Sequence, residues 1–323
     1  MILVTGANGL LGSFTCKALL KEGFDVLALV RSDSDLSLIN GLLDKLQIVE
    51  GDILDPECLY ESLKNVTAIV HCAAVVSFHQ SDKELMNTVN IQGTANMVNL
   101  ALKLNIEYFL QISSVAAIGR LTGNGEVDEN SKWQYSKWNS NYAQSKHFAE
   151  LEVWRGMEEG LNAAILNPSV ILAPGDWKRS SGALFKYVWD ENLFYPDGKI
   201  NYVDVRDVVQ AIISCLKMKP TKERFIVNGG ITSYKQLFNA IAKAFDKKPP
   251  KIKSNPILLK IGMLLDKIRS LITGRRTIIT TETALLTQSE IYFSNAKIKK
   301  ELNLTFVPFT ETIGWNCEEF LKL

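Results

Sequence analysis

The chain has 323 residues, 46% of them hydrophobic and 22% charged, with a formal net charge of +1. That length suits one large domain or two smaller ones at about 150 residues each, and the near-neutral balance gives no electrostatic reason to expect a nucleic acid partner. Five scattered cysteines and three histidines lack the spacing of a metal centre, a redox motif or a disulfide framework, so no metal is expected and the chain reads as cytoplasmic with reduced thiols.

The predicted elements begin at once. MILVTGANG stops after four apolar residues at a glycine turn, which is too short for a secretory leader and reads instead as a buried strand entering a turn. Leu10–Lys21 then carries helical periodicity. DVLALV (25–30), LQIVEG (46–51), AIVHCAA (68–74) and YFLQISS (108–114) are further short apolar runs, most of them separated by helix-like segments. Such alternation predicts an α/β fold, a doubly wound parallel sheet with helices on both faces, and nearly continuous apolar strands fit a sheet buried on both sides. AAILNPSVIL (163–172) adds a strand after the helix containing Tyr142, and RFIVNGG (224–230) a later one. LAPGDWKRSSG is a turn-rich loop, and FDKKPPKIKSNP is a basic connector. The stretch 256–276, PILLKIGMLLDKIRSLITGRR, is interrupted by Lys260, Asp266, Lys267 and Arg269, so it reads as an amphipathic packing helix rather than a membrane span. Residues 1–167 plus about 191–216 are assigned to the dinucleotide-binding domain. About 168–190 plus 217–323 are assigned to a smaller, mostly helical C-terminal substrate lobe.

TGANGLLG places glycines at 6, 9 and 12 between a strand and a helix. A pyrophosphate site needs that context: a tight turn, close backbone approach, and free N–H groups at a helix start. The candidate cradle is Thr5, Gly6, Asn8, Gly9, Leu10, Leu11 and Gly12. A second candidate lies in NSNYAQSKHFAE, where Tyr142 and Lys146 stand one helical turn apart on one face. A free tyrosine ionises near ~10, and a neighbouring ammonium favours its phenolate, so the pair is suited to moving a proton. Tyr135 and Lys137, two apart, would face differently and are taken as loop residues. His147 reads as packing or solvent, and His71 as a satisfied residue at a strand end.

The GxxGxxG spacing resembles the extended short-chain dehydrogenases/reductases, which belong with the NAD-dependent epimerases and dehydratases. The likeness continues through GDILD (51–55), VHCAA (70–74), NIQGTANMV (90–98), ISSVAAIG (112–119), YAQSK (142–146) and NPSVILAPG (167–175), in the family's order. The tail FSNAKIKKELNLTFVPFTETI is also similar. The resemblance implies a Rossmann-type fold and a triad of Ser114 (or, as the weaker alternative, Ser113), Tyr142 and Lys146. It implies cofactor contacts from Asp52 and Ile53 beside the adenine, from Cys72, Ala73, Ala74 and Asn90, and from Pro168 and Val170 near the nicotinamide. Val30 stands where the family's NAD users carry an acid, with Arg31 and Ser32 following, so NADP(H) is expected over NAD(H). The competing arrangement has Asp33 or Asp35 reaching the ribose while Arg31 stacks on the adenine.

Within the family the motifs look most like the dihydroflavonol reductase and 3β-hydroxysteroid dehydrogenase branch. Val170 and Ile200 occupy places where many sugar-nucleotide members carry Asn and Arg, although Lys178, Arg179, Lys199, Arg275 or Arg276 offer substitute charge. The expected activity is reduction of an aldehyde or ketone, or oxidation of the alcohol. The alternatives are a nucleotide-sugar epimerase or dehydratase and a non-catalytic dinucleotide sensor. Val75, Phe78, Ser114, Trp177 and Tyr195 are the candidate substrate residues, since apolar and aromatic linings suit a hydrophobic ligand. Core packing is the competing account of those aromatics, together with Phe185, Trp189 and Phe194. A small-molecule partner is expected, with no membrane contact. By resemblance, a homodimer through the helices at 90–103 and 142–159 is a further expectation.

Overall fold

The computed structural model describes residues 1–119, 125–136, 139–177, 181–254 and 291–323. Its centre is a seven-stranded sheet. Strands β1 (Ile2–Thr5), β2 (Val26–Val30), β3 (Gln47–Glu50), β4 (Ala68–His71) and β5 (Tyr108–Ile112) are joined by β7 (Ala163–Pro168) and β11 (Glu223–Val227). The spatial order is β3-β2-β1-β4-β5-β7-β11, and every pairing is parallel. β1 therefore lies between strands whose connections run in opposite directions, and such a switch point opens a crevice at the carboxyl ends of the strands.

The expected alternation is present because most of these strands are buried on both faces. β1, β2, β4, β5 and β7 have no exposed residue. One apolar layer packs the sheet against α1 (Leu10–Lys21) and α7 (Val205–Met218), with Cys16, Leu19, Val208 and Ile212 at its centre. The opposite layer packs it against α4 (Gly93–Lys103) and α5 (Asn141–Glu158), with Met97, Val98, Val153 and Phe109 buried between. Short helices α2 (Pro56–Tyr60) and α3 (Lys83–Met86) precede α4, and the turn Asn87–Gln92 between α3 and α4 is π-helical.

The lobe has its own core, built from α6 (Gly182–Trp189), α8 (Tyr234–Phe245) and α10 (Phe309–Phe320), with Phe185, Leu237, Ile241, Phe245 and Phe320 buried. Under it lies a three-stranded sheet, β12 (Gly230–Ser233), β10 (Lys199–Asp204) and β8 (Val170–Leu172). Two-stranded pairings join β6 (Glu126–Val127) to β14 (Tyr292–Phe293) and β9 (Phe194–Tyr195) to β13 (Ile252–Lys253).

The chain crosses between the layers more often than the division at 216/217 implies. β11 pairs with β7 in the main sheet, although it follows that boundary. β10 belongs to the small sheet, although it precedes it. Helix α9 (Ala296–Glu301) returns to the main layer, with Ile298 in the α1–α7 core. The predicted amphipathic segment at 256–276 lies outside the described residues, as do Lys178, Arg179, Arg275 and Arg276. No helix among the described residues is long and apolar enough to cross a membrane.

Candidate active site

The glycine turn follows β1. Gly6 has φ +63, and a Cβ there would lie 2.9 Å from Ala73 Cα. A Cβ on Gly12 would lie 2.0 Å from Gly6 O. The turn closes through Gly9 N–H donating to Gly6 O at 2.9 Å. Gly9 caps α1 with no side-chain bond, which leaves the first N–H groups of α1, at Leu10 and Leu11, aimed at the crevice. Both clashes are with the protein's own backbone, so the glycines hold the turn tight on itself and on the loop after β4, and a pyrophosphate fits the N–H groups this leaves at the start of α1.

Two neighbours hold the turn in place. Asn8 Nδ2 donates to Asp35 O at 3.0 Å and ties the turn to the loop after β2. Thr5 Oγ1 lies 2.7 Å from His71 Nδ1 and accepts from Ala73 N–H at 3.1 Å. His71 Nε2 lies 3.2 Å from Thr94 Oγ1, whose hydroxyl donates to Asn90 O at 2.6 Å. Thr94 therefore accepts from Nε2–H, and His71 Nδ1 accepts from Thr5. Burial, with the Lys146 charge adding to it, pushes His71 down to about 3, so the ring is neutral and this polarity is fixed. His71 is the satisfied strand-end residue that the sequence suggested.

Asn90 takes a different place from the one expected. Its side chain is buried, and its amide accepts from Val75 N–H and donates to Val75 O and Ser145 Oγ, at 2.7, 2.9 and 2.9 Å. It clamps the loop after β4 to α5 and has no amide hydrogen left for a cofactor. Ile53 is also turned inward, packed on Gly93, whose Cβ would lie 2.5 Å from Ile53 Cδ1. Asp52 Oδ1 accepts from Leu54 N–H at 2.9 Å. Arg31, Ser32 and Asp52 line a cleft of about 560 Å³ together with Asp33, Glu50 and Asp55.

Helix α5 presents the candidate triad. Ser140 caps it, its hydroxyl accepting from Ala143 N–H at 3.0 Å. Tyr142, Lys146 and Glu150 follow at i, i+4 and i+8. The Tyr142 hydroxyl has as its polar neighbour Ser114, which sits just beyond β5 and caps a short 3₁₀ turn, accepting from Ala116 N–H at 3.2 Å. Ser113 is buried and its N–H donates to Leu166 O at 2.8 Å. Lys146 is 2% exposed and its Nζ donates to Ile112 O at 2.8 Å. Burial pulls Lys146 down to about 8 against the opposing pull of Glu150. Burial also raises the Tyr142 phenol, and the nearby Ser114 hydroxyl offsets only part of that. Desolvation, rather than the Lys146 charge, therefore sets the direction for Tyr142.

Phe78 meets Tyr142 edge-on, with ring centroids 6.0 Å apart, and Val75 begins the same loop. Pro168 ends β7 buried, while Val170 on β8 is 41% exposed. Cys72 is half-buried, its thiol pushed up to about 12 by burial, and Ala73 and Ala74 continue the loop. Two of the expected substrate residues are elsewhere. Trp177 packs inside the lobe against Phe320, Trp189 and Phe245, at 4.6, 5.7 and 5.9 Å. Tyr195 lies in the β9–β13 pair under Lys235 and packs on the lobe core. His147 stacks on Trp133 at 4.2 Å, and its Nδ1 lies 3.2 Å from Ala117 O, in keeping with packing. The residues missed by sequence reasoning are Glu150, Asn167 and Arg224. The available signal was the continuation of the Tyr142–Lys146 stripe to Glu150.

A parallel sheet with this strand order, a glycine cradle at its switch point and a tyrosine–lysine helix beside it defines an NAD(P)-dependent oxidoreductase. The model of the "NAD dependent epimerase/dehydratase family" matches residues 2–228, and the chain belongs to that family. It is 27% identical over 262 residues to sterol demethylase protein B of Methylococcus capsulatus, covering 80% of this chain and 78% of that one. It is 33% identical over 208 residues to a Synechocystis protein named as a dihydroflavonol 4-reductase, covering 64% and 60%. The crystal structure of gox2253 superimposes with a TM-score of 0.83 at 30% identity, covering 100% of this chain and 98% of that one.

Proposed function

We propose that the protein is an NADP(H)-dependent reductase of an apolar aldehyde or ketone, run in reverse as an alcohol dehydrogenase, with Ser114, Tyr142 and Lys146 as its triad. The reading rests above all on Ser114 standing close enough to act on the Tyr142 hydroxyl, with Lys146 buried one turn away. When bound, a nicotinamide dinucleotide supplies hydride to the carbonyl carbon. Ser114 holds the carbonyl oxygen by a hydrogen bond, and Tyr142 donates the proton to it. Burial keeps the phenol protonated at neutral pH, which suits a proton donor and so the reductive direction. The N–H groups after Gly9 hold the pyrophosphate, Asp52 the adenine and Lys146 the nicotinamide ribose.

Phe78, Val75, Val76 and Val170 give the substrate side an apolar lining, with Val76 58% and Val170 41% exposed. The names of the sterol and dihydroflavonol relatives both point to apolar ring compounds. Ile200, where many sugar-nucleotide members carry Arg, is buried in β10, which counts against a nucleotide sugar. NADPH oxidation against a panel of hydrophobic aldehydes and ketones should find turnover, and Tyr142→Phe should abolish it while leaving cofactor affinity within about twofold. Silence across the panel with turnover on a UDP- or GDP-sugar overturns the proposal.

The cofactor choice is supported by Arg31 and Ser32 in the cleft after β2. Because Asp33, Glu50, Asp52 and Asp55 line the same cleft, favouring a 2′-phosphate falls to Arg31 and Ser32. Arg31→Ala should weaken NADPH binding by about tenfold, the loss of one charge-assisted hydrogen bond, and leave NADH binding nearly unchanged. Equal losses for both cofactors, or a wild-type preference for NADH, contradict this choice.

A further inference from the structure

Glu150 is 1% exposed, and the proposed reaction gives it no step. Elements outside its own helix take both of its oxygens. Oε1 accepts from Asn167 Nδ2 on β7 at 2.5 Å, and Oε2 lies 3.4 Å from Arg224 Nη1 on β11. Arg224 is fixed in turn, donating to Glu129 O at 2.9 and 2.7 Å and to Ser131 O at 3.0 Å. The Asn167 amide nitrogen also donates to Ser114 O at 2.9 Å. An amide NH₂ has two hydrogens, so Asn167 is a fork between the Glu150 carboxylate and the backbone of the candidate catalytic serine. Building such a brace around a buried carboxylate carries a desolvation cost, and that cost needs a reason.

Lys146 supplies the reason. It lies one turn before Glu150 on the same helix face, withdrawn from water. The other titratable groups coupled to it are His71 and Cys72 at the end of β4, and Tyr142 precedes it by one turn on its own helix. Burial holds His71 neutral, at about 3, and pushes the Cys72 thiol up to about 12 and the Tyr142 phenol upward. None of these is an anion at neutral pH. Burial raises the Glu150 carboxyl above its usual range, and the neighbouring Ser113, Arg224, Asn167 and Lys146 draw it back toward its charged form. Among the described groups it is the one placed to offset the cost of a buried ammonium.

We infer that Glu150 is the positioning residue for Lys146: its carboxylate, fixed from β7 and β11, keeps the ammonium charged so that it can hold a cofactor hydroxyl. This rests on the role given to Lys146 above. The test reads the lysine directly, without substrate, so its failure is separable from failure of the reductase reading. The full chain is labelled with ¹⁵Nζ-lysine, its Lys146 signal assigned with Lys146→Met, and titrated by NMR. Glu150→Gln keeps an acceptor for Asn167 and removes the charge. It should lower the Lys146 midpoint by about one unit or more, a tenfold change in its protonation equilibrium, whereas Glu150→Asp should keep most of the wild-type midpoint. Dinucleotide affinity, measured by fluorescence, should match wild type at pH 6 in Glu150→Gln and fall several-fold at pH 8. An unchanged midpoint in Glu150→Gln, an equal drop in Glu150→Asp, or the same loss of affinity at both pH values overturns the inference.

Discussion

At the scale of single residues, Gly12 and Gly314 make opposite demands. A Cβ at Gly12 would meet Gly6 O at 2.0 Å and Gly6 C at 2.8 Å. Both atoms are backbone in a turn already bent by the positive φ of Gly6, so no rotamer change relieves the clash. Gly12→Ala should therefore open the turn, weaken dinucleotide binding by tenfold or more and destabilise the fold by about 1–3 kcal/mol, the usual cost of overpacking. Gly314 lies inside α10 with nothing within 4 Å of its Cβ position. Gly314→Ala should stabilise the protein by about 1 kcal/mol through helix propensity and leave binding unaltered. Chemical denaturation and cofactor titration of the two variants check the pair. A Gly12→Ala protein that binds cofactor as wild type does would contradict the close approach that the turn implies. His71 makes a similar point without a clash. Its neutral ring links Thr5 at the glycine turn to Thr94 of α4, so one buried side chain ties that turn to the helix that follows the Asn90 clamp.

At the scale of elements, the legible part of the molecule is the part written locally. The glycine turn was readable because Gly6, Gly9 and Gly12 are needed for steric reasons over eight residues. The Tyr142–Lys146 pair was readable because helix geometry converts a four-residue spacing into one face. Strands β1, β2, β4, β5 and β7 were readable because burial on both sides makes them almost continuously apolar. What failed depends on chain distant in sequence. β11 pairs with β7 across about sixty residues, and no local pattern in Glu223–Val227 tells a main-sheet strand from a lobe strand. Asn90 was misplaced because the motif names the residue but not the direction of its side chain. The π-helical turn at Asn87–Gln92 carries it inward onto Val75 and Ser145. Trp177 and Tyr195 were placed at the substrate because an aromatic in a cleft and one in a lobe core have the same sequence signature. The brace of Glu150, Asn167 and Arg224 draws on α5, β7 and β11, and topology alone assembles it.

At the scale of the whole molecule, the C-terminal tail is joined to the main layer through a carboxylate. Asp207, in the first turn of α7, is 3% exposed, and both of its oxygens face Val307 N–H, at 3.1 and 3.2 Å. Beside it, Arg206 is shared between Asp204 and Glu311 and stacks on Trp315 with 4.4 Å to the ring centroid, so α7 and α10 are held by one guanidinium. Burial, foremost, and the charges of Asp204 and Glu311 raise Asp207 from 3.8 to about 7, while Val307 N–H and Arg206 pull the other way. The folded chain thus binds this proton more tightly than the unfolded chain does. For a carboxylate raised in this way, stability is greatest below the unfolded pKa and is lost as the pH rises through the folded one. The window runs from about 4 to about 7, and its full height is roughly 4 kcal/mol at 1.36 kcal/mol per unit. Asp207→Asn has no proton to lose, and its side-chain carbonyl still accepts from Val307 N–H. Melting temperatures of the two proteins measured from pH 5 to pH 8 should therefore diverge, wild type falling several degrees relative to the variant as the pH rises. Other titrating groups are common to both proteins and cancel in the difference. Parallel curves would mean that Asp207 keeps an ordinary carboxylate pKa, and that the junction between α7 and the tail is open to water rather than sealed.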